Sequence, residues 1–209
     1  MWYQPKQGAK EITAHLKHAG VGIVGISDSG LAGIRCRYEV QRELAIREIL
    51  RDWLSQHEIK SVIVIRTTKA AGAMEETLQT LLEEEGLAFE FKTVGYHRLH
   101  DFLEVLSRNK RAGVIFPSLA ASFFAFRVPD GLTKLMSQAR VALTEGPVSL
   151  AFVQVPDVHV DLVVVDWQLV AEQIVTDLVS KKAFDSDKVS VFEAQAHLRA
   201  PLSHYAESL

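Results

Sequence analysis

The sequence predicts an α/β fold, a three-layer α/β/α sandwich built on a mostly parallel sheet. Short apolar runs of strand length recur along its 209 residues, and amphipathic helical stretches lie between them. Continuous apolar strands that alternate with helices are typical of parallel sheets covered on both faces. The composition, 48% apolar and 23% charged, is ordinary for a globular domain and excludes a disordered or fibrous chain.

The first part of the chain contains two helical and two strand patterns. Residues 9–19 place small and aliphatic side chains on one helical stripe, and the run 21–27 (VGIVGIS) has strand length. Residues 37–56 give the clearest helical pattern, because apolar side chains recur at i, i+3, i+4, i+7 and i+8 from Ile46. The β-branched run 61–66 (SVIVIR) predicts a buried strand.

The middle of the chain continues the alternation. Residues 73–85 predict a helix with a glutamate-rich outer face, and Gly86 is placed to cap its C-terminus. The segment 89–94 alternates like a strand, and leucines and a phenylalanine within 99–106 mark a helix. The run 113–118 (GVIFPS) predicts a further strand.

The last third predicts one helix at 131–139 and then two strands, at 148–155 and 160–165. Asp166 is placed to cap the amphipathic helix that follows. The run 189–198 (VSVFEAQAHL) predicts a final strand.

Charge, cysteine content and hydropathy exclude several classes of function. The net charge of -3 leaves no basic surplus to neutralise phosphates, so this chain is not expected to hold DNA by itself. The single cysteine, Cys36, cannot form an intramolecular disulfide. No apolar run reaches the length of a membrane helix, and the first residues have no signal-peptide core. We therefore expect a cytoplasmic protein without a membrane partner.

No catalytic constellation is visible. The string 20–25 (GVGIVG) matches the dinucleotide-binding pattern, but it follows a predicted helix and lies inside a strand, whereas the pattern requires the reverse order. Phosphate-binding loops of the Walker type, nucleophile elbows and zinc-protease motifs are absent from the sequence. The sequence therefore predicts a protein that is not an enzyme and has no cofactor and no metal site.

Polar side chains at the ends of the predicted strands form the candidate binding site. In parallel α/β sheets, ligands bind outside the carboxyl ends of the strands. Hydroxyl and amide groups suit sugar hydroxyls, because each such group can donate and accept hydrogen bonds. The candidate ligand-binding residues are Ser27, Asp28, Thr67, Thr68, Ser118 and Gln154.

The order of elements resembles that of LacI/GalR-type transcription regulators. The matching segments are 20–27, 38–64, 112–118, 148–155, 160–178 and 191–201, which together span most of the chain. Segment 20–27 is similar to the family strand that ends in an aspartate, and 38–64 to the helix and strand that follow it. Segments 112–118 and 148–155 are similar to the family strands whose ends carry Asn-Asp and Asp-Asp.

This resemblance implies a periplasmic-binding-protein-like fold with one complete lobe and a partial second lobe. Residues 1–30 and 160–185 would form the partial N-terminal-type lobe, and 31–158 with 186–209 the C-terminal-type lobe. The implied function is to sense a small sugar-like effector bound between the lobes of a homodimeric regulator. The family's DNA-binding headpiece and the first strands of the N-terminal lobe have no counterpart here, so DNA would be reached only through a headpiece absent from this chain.

The family's ligand-contacting positions differ in this sequence, and two alternatives stay open. The first family aspartate falls on Ser27, with Asp28 next to it, and a later aspartate falls on Gln154. One alternative is a small nucleotide- or flavin-using α/β enzyme, for which 27–33 (SDSGLAG) is the best candidate phosphate loop. The other is a dimerising scaffold without a ligand.

Overall fold

A computed structural model describes fourteen stretches of the chain, which carry nine strands and three helices. The described residues are 18, 24–27, 36–57, 59–66, 73–95, 98, 101–102, 104, 106, 112–117, 133–135, 139–144, 159–180 and 188–201. The strands are β1 Val24–Ser27, β2 Cys36–Gln41, β3 Ser61–Arg66, β4 Ala88–Thr93, β5 Ala112–Phe116, β6 Arg140–Leu143, β7 His159–Val164, β8 Lys188–Glu193 and β9 Gln195–Pro201. The helices are α1 Glu43–His57, α2 Ala73–Glu84 and α3 Trp167–Val179.

The strands form two sheets that are mostly parallel, which confirms the predicted α/β class. A three-stranded sheet has the order β1-β2-β8 and is parallel throughout. A six-stranded sheet has the order β4-β3-β5-β6-β7-β9, in which β9 alone runs antiparallel to its neighbour.

The chain divides into two compact units. The small unit, Met1–Gln41 with Val165–Glu193, contains the three-stranded sheet and α3. The large unit, Arg42–Val164 with Ala194–Leu209, contains the six-stranded sheet with α1 and α2. In the small unit, β2 pairs with both β1 and β8. The lobe boundaries expected from the family resemblance stay a prediction.

The core of the large unit is centred on β5, whose five residues are all buried. Helix α1 covers this strand with Trp53, which is fully buried, and the indole lies directly over Gly113. A Cβ atom added at Gly113 would lie 2.1 Å from Trp53 Cζ3 and 2.4 Å from Cε3. Glycine at this position therefore allows the helix to pack closely against the sheet.

A buried carboxylate connects α1 to three strands of the large unit. Asp161 is 1% exposed and accepts hydrogen bonds from Trp53 Nε1 (2.6 Å), Arg140 Nη2 (3.0 Å) and the backbone N–H of Arg199 (2.7 Å). Arg140 Nη2 also donates to Asp52 at 2.9 Å. Burial raises the pKa of the Asp161 carboxyl, and the hydrogen bonds from Trp53 and Arg199 and the charge of Arg140 oppose that rise.

Ion pairs join α1 and α2 at the surface. Arg47 reaches both Glu84 (2.6 Å) and Glu85 (2.8 Å), and Arg51 reaches Glu85 at 3.1 Å. Helix α2 ends at Glu84, and Gly86 two residues later has φ +69°, a conformation that glycine adopts without strain. This confirms the predicted cap at Gly86.

A hydrogen-bonded tyrosine joins the sheet of the small unit to α3. Tyr38 Oη donates to Asp177 Oδ2 at 2.7 Å, and both side chains are buried. Cys36 lies next to them, and Ile174 and Phe192 pack around the pair. Burial raises the pKa of the Tyr38 hydroxyl above its ordinary value. The hydroxyl therefore stays protonated and can donate its hydrogen bond to Asp177.

The helix predicted at 37–56 is wrong in its first third. Residues 36–41 form β2, with alternating buried and partly exposed side chains, and α1 begins at Glu43 after the single residue Arg42. Alternation with period two is the pattern of a strand, and it competes there with the helical spacing.

Two further differences concern short or adjacent strands. Strand β6, Arg140–Leu143, was not predicted, because four residues give too short an apolar run. The single strand predicted at 189–198 is two strands, β8 and β9, which are separated by Ala194 and belong to different sheets. The strand predicted at 148–155 and the helix predicted at 9–19 lie outside the described residues, apart from His18, which is helical.

Candidate functional site

The carboxyl ends of four neighbouring parallel strands meet at one edge of the six-stranded sheet. Arg66 at the end of β3 is paired in register with Thr93 at the end of β4. Phe116 at the end of β5 is paired with Leu143 at the end of β6. This edge of the large unit is where the strand-end rule places a ligand.

Among the predicted ligand-binding residues, Asp28 follows β1 in sequence, Thr67 and Thr68 follow β3, and Ser118 follows β5 by two residues. Ser27 is the last residue of β1, and its backbone pairs in register with Glu39. The other five predicted residues, Asp28, Thr67, Thr68, Ser118 and Gln154, lie outside the described residues. Their role in binding a ligand stays a prediction.

Arg66 is a charged group at this edge that contacts both an opposite charge and an aromatic ring. Its Nε lies 2.8 Å from Glu75 Oε2, and its guanidinium carbon lies 3.8 Å from the centroid of the Phe91 ring. The side chains of Arg66 and Glu75 are only 19% and 12% exposed. The pair therefore fixes the first turn of α2 against the end of β3, directly before the predicted residue Thr67.

Two other strand ends carry local hydrogen bonds. Thr144, which follows β6, is buried and donates from its backbone N–H to the Phe116 carbonyl at 3.3 Å. Asp166, which follows β7, accepts from the backbone N–H of Leu169 at 2.9 Å and caps α3. This confirms the predicted cap at Asp166.

A shallow cleft of about 660 Å³ opens at the carboxyl end of the edge strand β4. Its described lining consists of residues 92–95, Arg98, Asp101 and Phe102. The backbone N–H of Val94 donates to the Arg66 carbonyl at 2.9 Å, which ties this cleft to the end of β3.

The described groups at this edge are suited to binding. They include charged side chains that are paired with opposite charges, and they also include threonine hydroxyls and backbone amides. All of these groups can orient a polar ligand. The strand-end rule that selected Thr67 also points to Arg66 and Gly95. The pairing of Arg66 with Glu75 could not be predicted from the sequence, because the two residues are nine positions apart.

Comparison with known proteins gives matches in structure alone. No protein-family model matches the sequence, and no curated protein matches it. A LacI family transcriptional regulator from an Arthrobacter species, in complex with lactose, superposes with a TM-score of 0.68 at 11% identity over 94% of this chain and 76% of that chain. This chain therefore shares the fold of LacI-type regulators of known structure.

Two further solved structures support the same fold. A LacI family regulator from Enterococcus faecalis with bound ribose gives a TM-score of 0.67 at 10% identity over 94% of this chain and 74% of that one. A periplasmic sugar-binding protein from Legionella pneumophila gives 0.62 at 12% identity over 90% of this chain and 74% of its own. The expected LacI-like, periplasmic-binding-protein-like fold is thereby confirmed.

Within the described part of the chain, no helix is long and apolar enough to cross a membrane.

Proposed function

We propose that the chain is the effector-sensing domain of a LacI-like transcription regulator and binds a small sugar-like molecule at the carboxyl ends of its parallel strands. The observation that carries this proposal is the likeness in fold, over 94% of the chain, to two LacI-type regulators whose solved structures contain lactose and ribose. Such a domain binds its ligand and performs no chemistry on it.

The chemistry of the strand ends supports this proposal. Ser27 at the end of β1, Thr67 and Thr68 after β3 and Ser118 after β5 would supply hydroxyls. Gln154, in the predicted strand 148–155, would supply an amide. Each of these groups can donate and accept, as the hydroxyls of a sugar can, so paired hydrogen bonds would orient the ligand.

The proposal extends to assembly and location by analogy with the regulators. The domain acts as a homodimer in the cytoplasm and is not an enzyme. Its units correspond to the two lobes of the binding fold, and contact with DNA is the task of a separate headpiece. Sedimentation analysis at micromolar concentration tests the dimer, and a monomer there contradicts it.

Thermal-shift screening followed by calorimetry tests the binding function. A panel of mono- and disaccharides that includes lactose and ribose should contain at least one sugar that raises the melting temperature, because a ligand that binds only the folded state stabilises it. Nucleotides and flavins serve as the comparison set, and stabilisation by them alone would favour the enzyme alternative. No stabilisation by any compound would favour a scaffold without an effector.

A substitution at Gln154 then locates the site. Gln154→Leu preserves much of the volume but removes both a donor and an acceptor, and we expect about tenfold weaker binding, or about 1.4 kcal/mol. Gln56→Leu makes the same change on an exposed turn of α1 and should leave the affinity unchanged. Equal affinities for the two variants would place the sugar elsewhere.

A further inference from the structure

The two edges of the six-stranded sheet differ in their geometry. Strand β9, at one edge, is irregular, because its register with β7 shifts between Val160 and Leu162 and Arg199 has φ +48°. Bulges and prolines keep an edge strand from pairing with another strand, and β9 also ends at Pro201. Strand β4, at the other edge, pairs with β3 at all six of its residues without a register shift and contains no proline. β4 therefore presents a regular edge that a further strand can join.

The backbone groups on the open side of β4 belong to alternate residues. The N–H groups of Ala88 and Val94 donate to carbonyl groups on the side of β3. Backbone groups alternate in direction along a strand, so Phe89, Phe91 and Thr93 turn their N–H and C=O groups away from β3. Among the described strands, β3 is the sole neighbour of β4. These three residues therefore carry the hydrogen-bonding groups that a second strand would meet.

Two opposite charges lie on one face of β4. Side chains alternate between the two faces of a strand, so Glu90 and Lys92 share one face, and Phe89 and Phe91 share the other. Glu90 Oε1 lies 2.9 Å from Lys92 Nζ, but the two side chains are 59% and 44% exposed. An ion pair with such exposure contributes little, so both charges can interact with a partner strand.

The sequence of β4 is complementary to itself in one antiparallel register. Residues that turn their backbone groups outward must face each other, and a two-fold axis at Phe91 places this residue opposite the same residue of a second copy. Glu90 then lies directly opposite Lys92 of the second copy, and Lys92 opposite Glu90, so that two pairs of opposite charges form. An axis one residue earlier or later, at Glu90 or at Lys92, places like charges opposite each other, which is destabilising. The charges therefore select the register centred on Phe91.

We infer that the edge of β4 is a dimer interface: two copies of this chain pair their β4 strands antiparallel, with Phe91 at the two-fold axis, and so join two six-stranded sheets into one. In such a strand addition, main-chain hydrogen bonds give the affinity, and the side-chain pairs give the specificity. The inference rests on the homodimer of the proposed function and names the surface that forms it, whereas sugar binding does not depend on it.

Sedimentation velocity over a series of concentrations tests this interface with a charge-swap cycle. Glu90→Lys and Lys92→Glu each turn two attractive pairs into two repulsive ones, and each should raise the dimer dissociation constant about tenfold. The double variant Glu90→Lys/Lys92→Glu restores opposite charges in the same register and should return the constant to within about twofold of the parent. Glu48→Lys makes the same change of charge at an exposed position of α1 and should also leave the constant within about twofold.

Disulfide cross-linking of a mixture tests the register. Directly opposite residues of a non-hydrogen-bonded pair have Cα atoms about 4.5 Å apart, within reach of a disulfide, whereas diagonal neighbours are about 7–8 Å apart. Glu90→Cys mixed with Lys92→Cys should therefore give a covalent dimer on oxidation with diamide, and either variant alone should not.

Three results would overturn the inference. The first is a monomer at every concentration, which would also contradict the proposed homodimer. The second is a dimer whose dissociation constant is the same in Glu90→Lys as in the parent, because the homodimer would then use another surface. The third is a covalent dimer of either cysteine variant alone that the mixture does not form, which would indicate a different register. Melting temperatures equal to that of the parent show that the variants are folded, and the sugar screen on the parent tests the sugar-sensing proposal separately.

Discussion

Gly113→Ala should destabilise the large unit, because the new methyl group has no space. Its Cβ would lie 2.1 Å from Trp53 Cζ3 and 2.4 Å from Cε3, far inside normal contact distance. Trp53 is fully buried, and its Nε1 donates to Asp161 at 2.6 Å, so the indole cannot withdraw without losing that bond. Overpacking of this kind costs up to about 3 kcal/mol, and the lower backbone entropy of alanine in the unfolded chain offsets about 0.5–1 kcal/mol. We expect a net loss of about 2 kcal/mol.

Equilibrium unfolding in urea, followed by far-UV circular dichroism, measures this loss. Trp53→Phe removes the indole that carries the clashing atoms, so Gly113→Ala should cost less than about 0.5 kcal/mol in that background. The difference from the cost of about 2 kcal/mol in the parent protein is a coupling free energy of about 1.5 kcal/mol. Gly86→Ala is the matched control. Gly86 has no heavy atom within 4 Å of its added Cβ and has φ +69°, so its cost of about 1 kcal/mol comes from the backbone and should be equal in both backgrounds.

The packing argument is refuted if Gly113→Ala is as stable as the parent protein. It is also refuted if the cost of Gly113→Ala is the same with Trp53 and with phenylalanine at that position, because the indole would then not be the obstacle.

Three further predictions concern the two units and their charges. Tyr38→Phe removes the buried hydrogen bond that Asp177 Oδ2 accepts from Tyr38 Oη and should cost about 1–3 kcal/mol, measured by urea unfolding; a loss below about 0.5 kcal/mol would contradict the bond. Arg51 and Arg47 lower the pKa of Glu85, so its ion pairs stabilise the fold above its unfolded pKa of about 4.3 and are lost as the pH falls through the lowered value. The stability difference between the parent and Glu85→Gln should therefore shrink in acid, and a constant difference from neutral pH to strong acid would show that the pairs do not form. With a net charge of -3, this chain alone should not bind duplex DNA specifically, and a mobility shift that survives about 200 mM salt and competitor DNA would disprove this.

The strands and helices with one strong period could be predicted from the sequence. The strand at 61–66 and the caps at Gly86 and Asp166 follow from β-branched composition and short-range chemistry, which depend on neighbouring residues alone. The class of the fold follows from the same alternation of periods.

Boundaries between adjacent elements could not be predicted, because two periods overlap there. The alternating residues of β2 are separated from the helical pattern of α1 by Arg42 alone, so the sequence prediction joins both segments in one helix. No local pattern marks the change of sheet at Ala194, because the sheet that a strand joins depends on the strand it pairs with. β8 pairs with β2, and β9 pairs with β7.

The internal polar network was also beyond sequence reasoning. Trp53 and Asp161 are 108 positions apart, and their hydrogen bond depends on the order of strands in the sheet. The strand-end rule points to the residues that follow β3, and their role in binding stays a prediction. The pairing of Arg66 with Glu75 and its stacking on Phe91 depend on how α2 and β4 pack against β3.

Hydrogen exchange at the two ends of the six-stranded sheet tests the central claim most directly. The protein would be saturated with the sugar that gives the largest thermal shift in the panel containing lactose and ribose. We predict that amide exchange slows at both ends of the sheet, because the bound sugar stabilises the folded state. At the carboxyl ends of the strands, at Arg66, Phe116 and Thr144, exchange should slow further than at the amino ends, at Ser61, Ala112 and Arg140. Slowing confined to the amino ends, or no slowing with any sugar, would contradict the account of this domain as a sugar sensor.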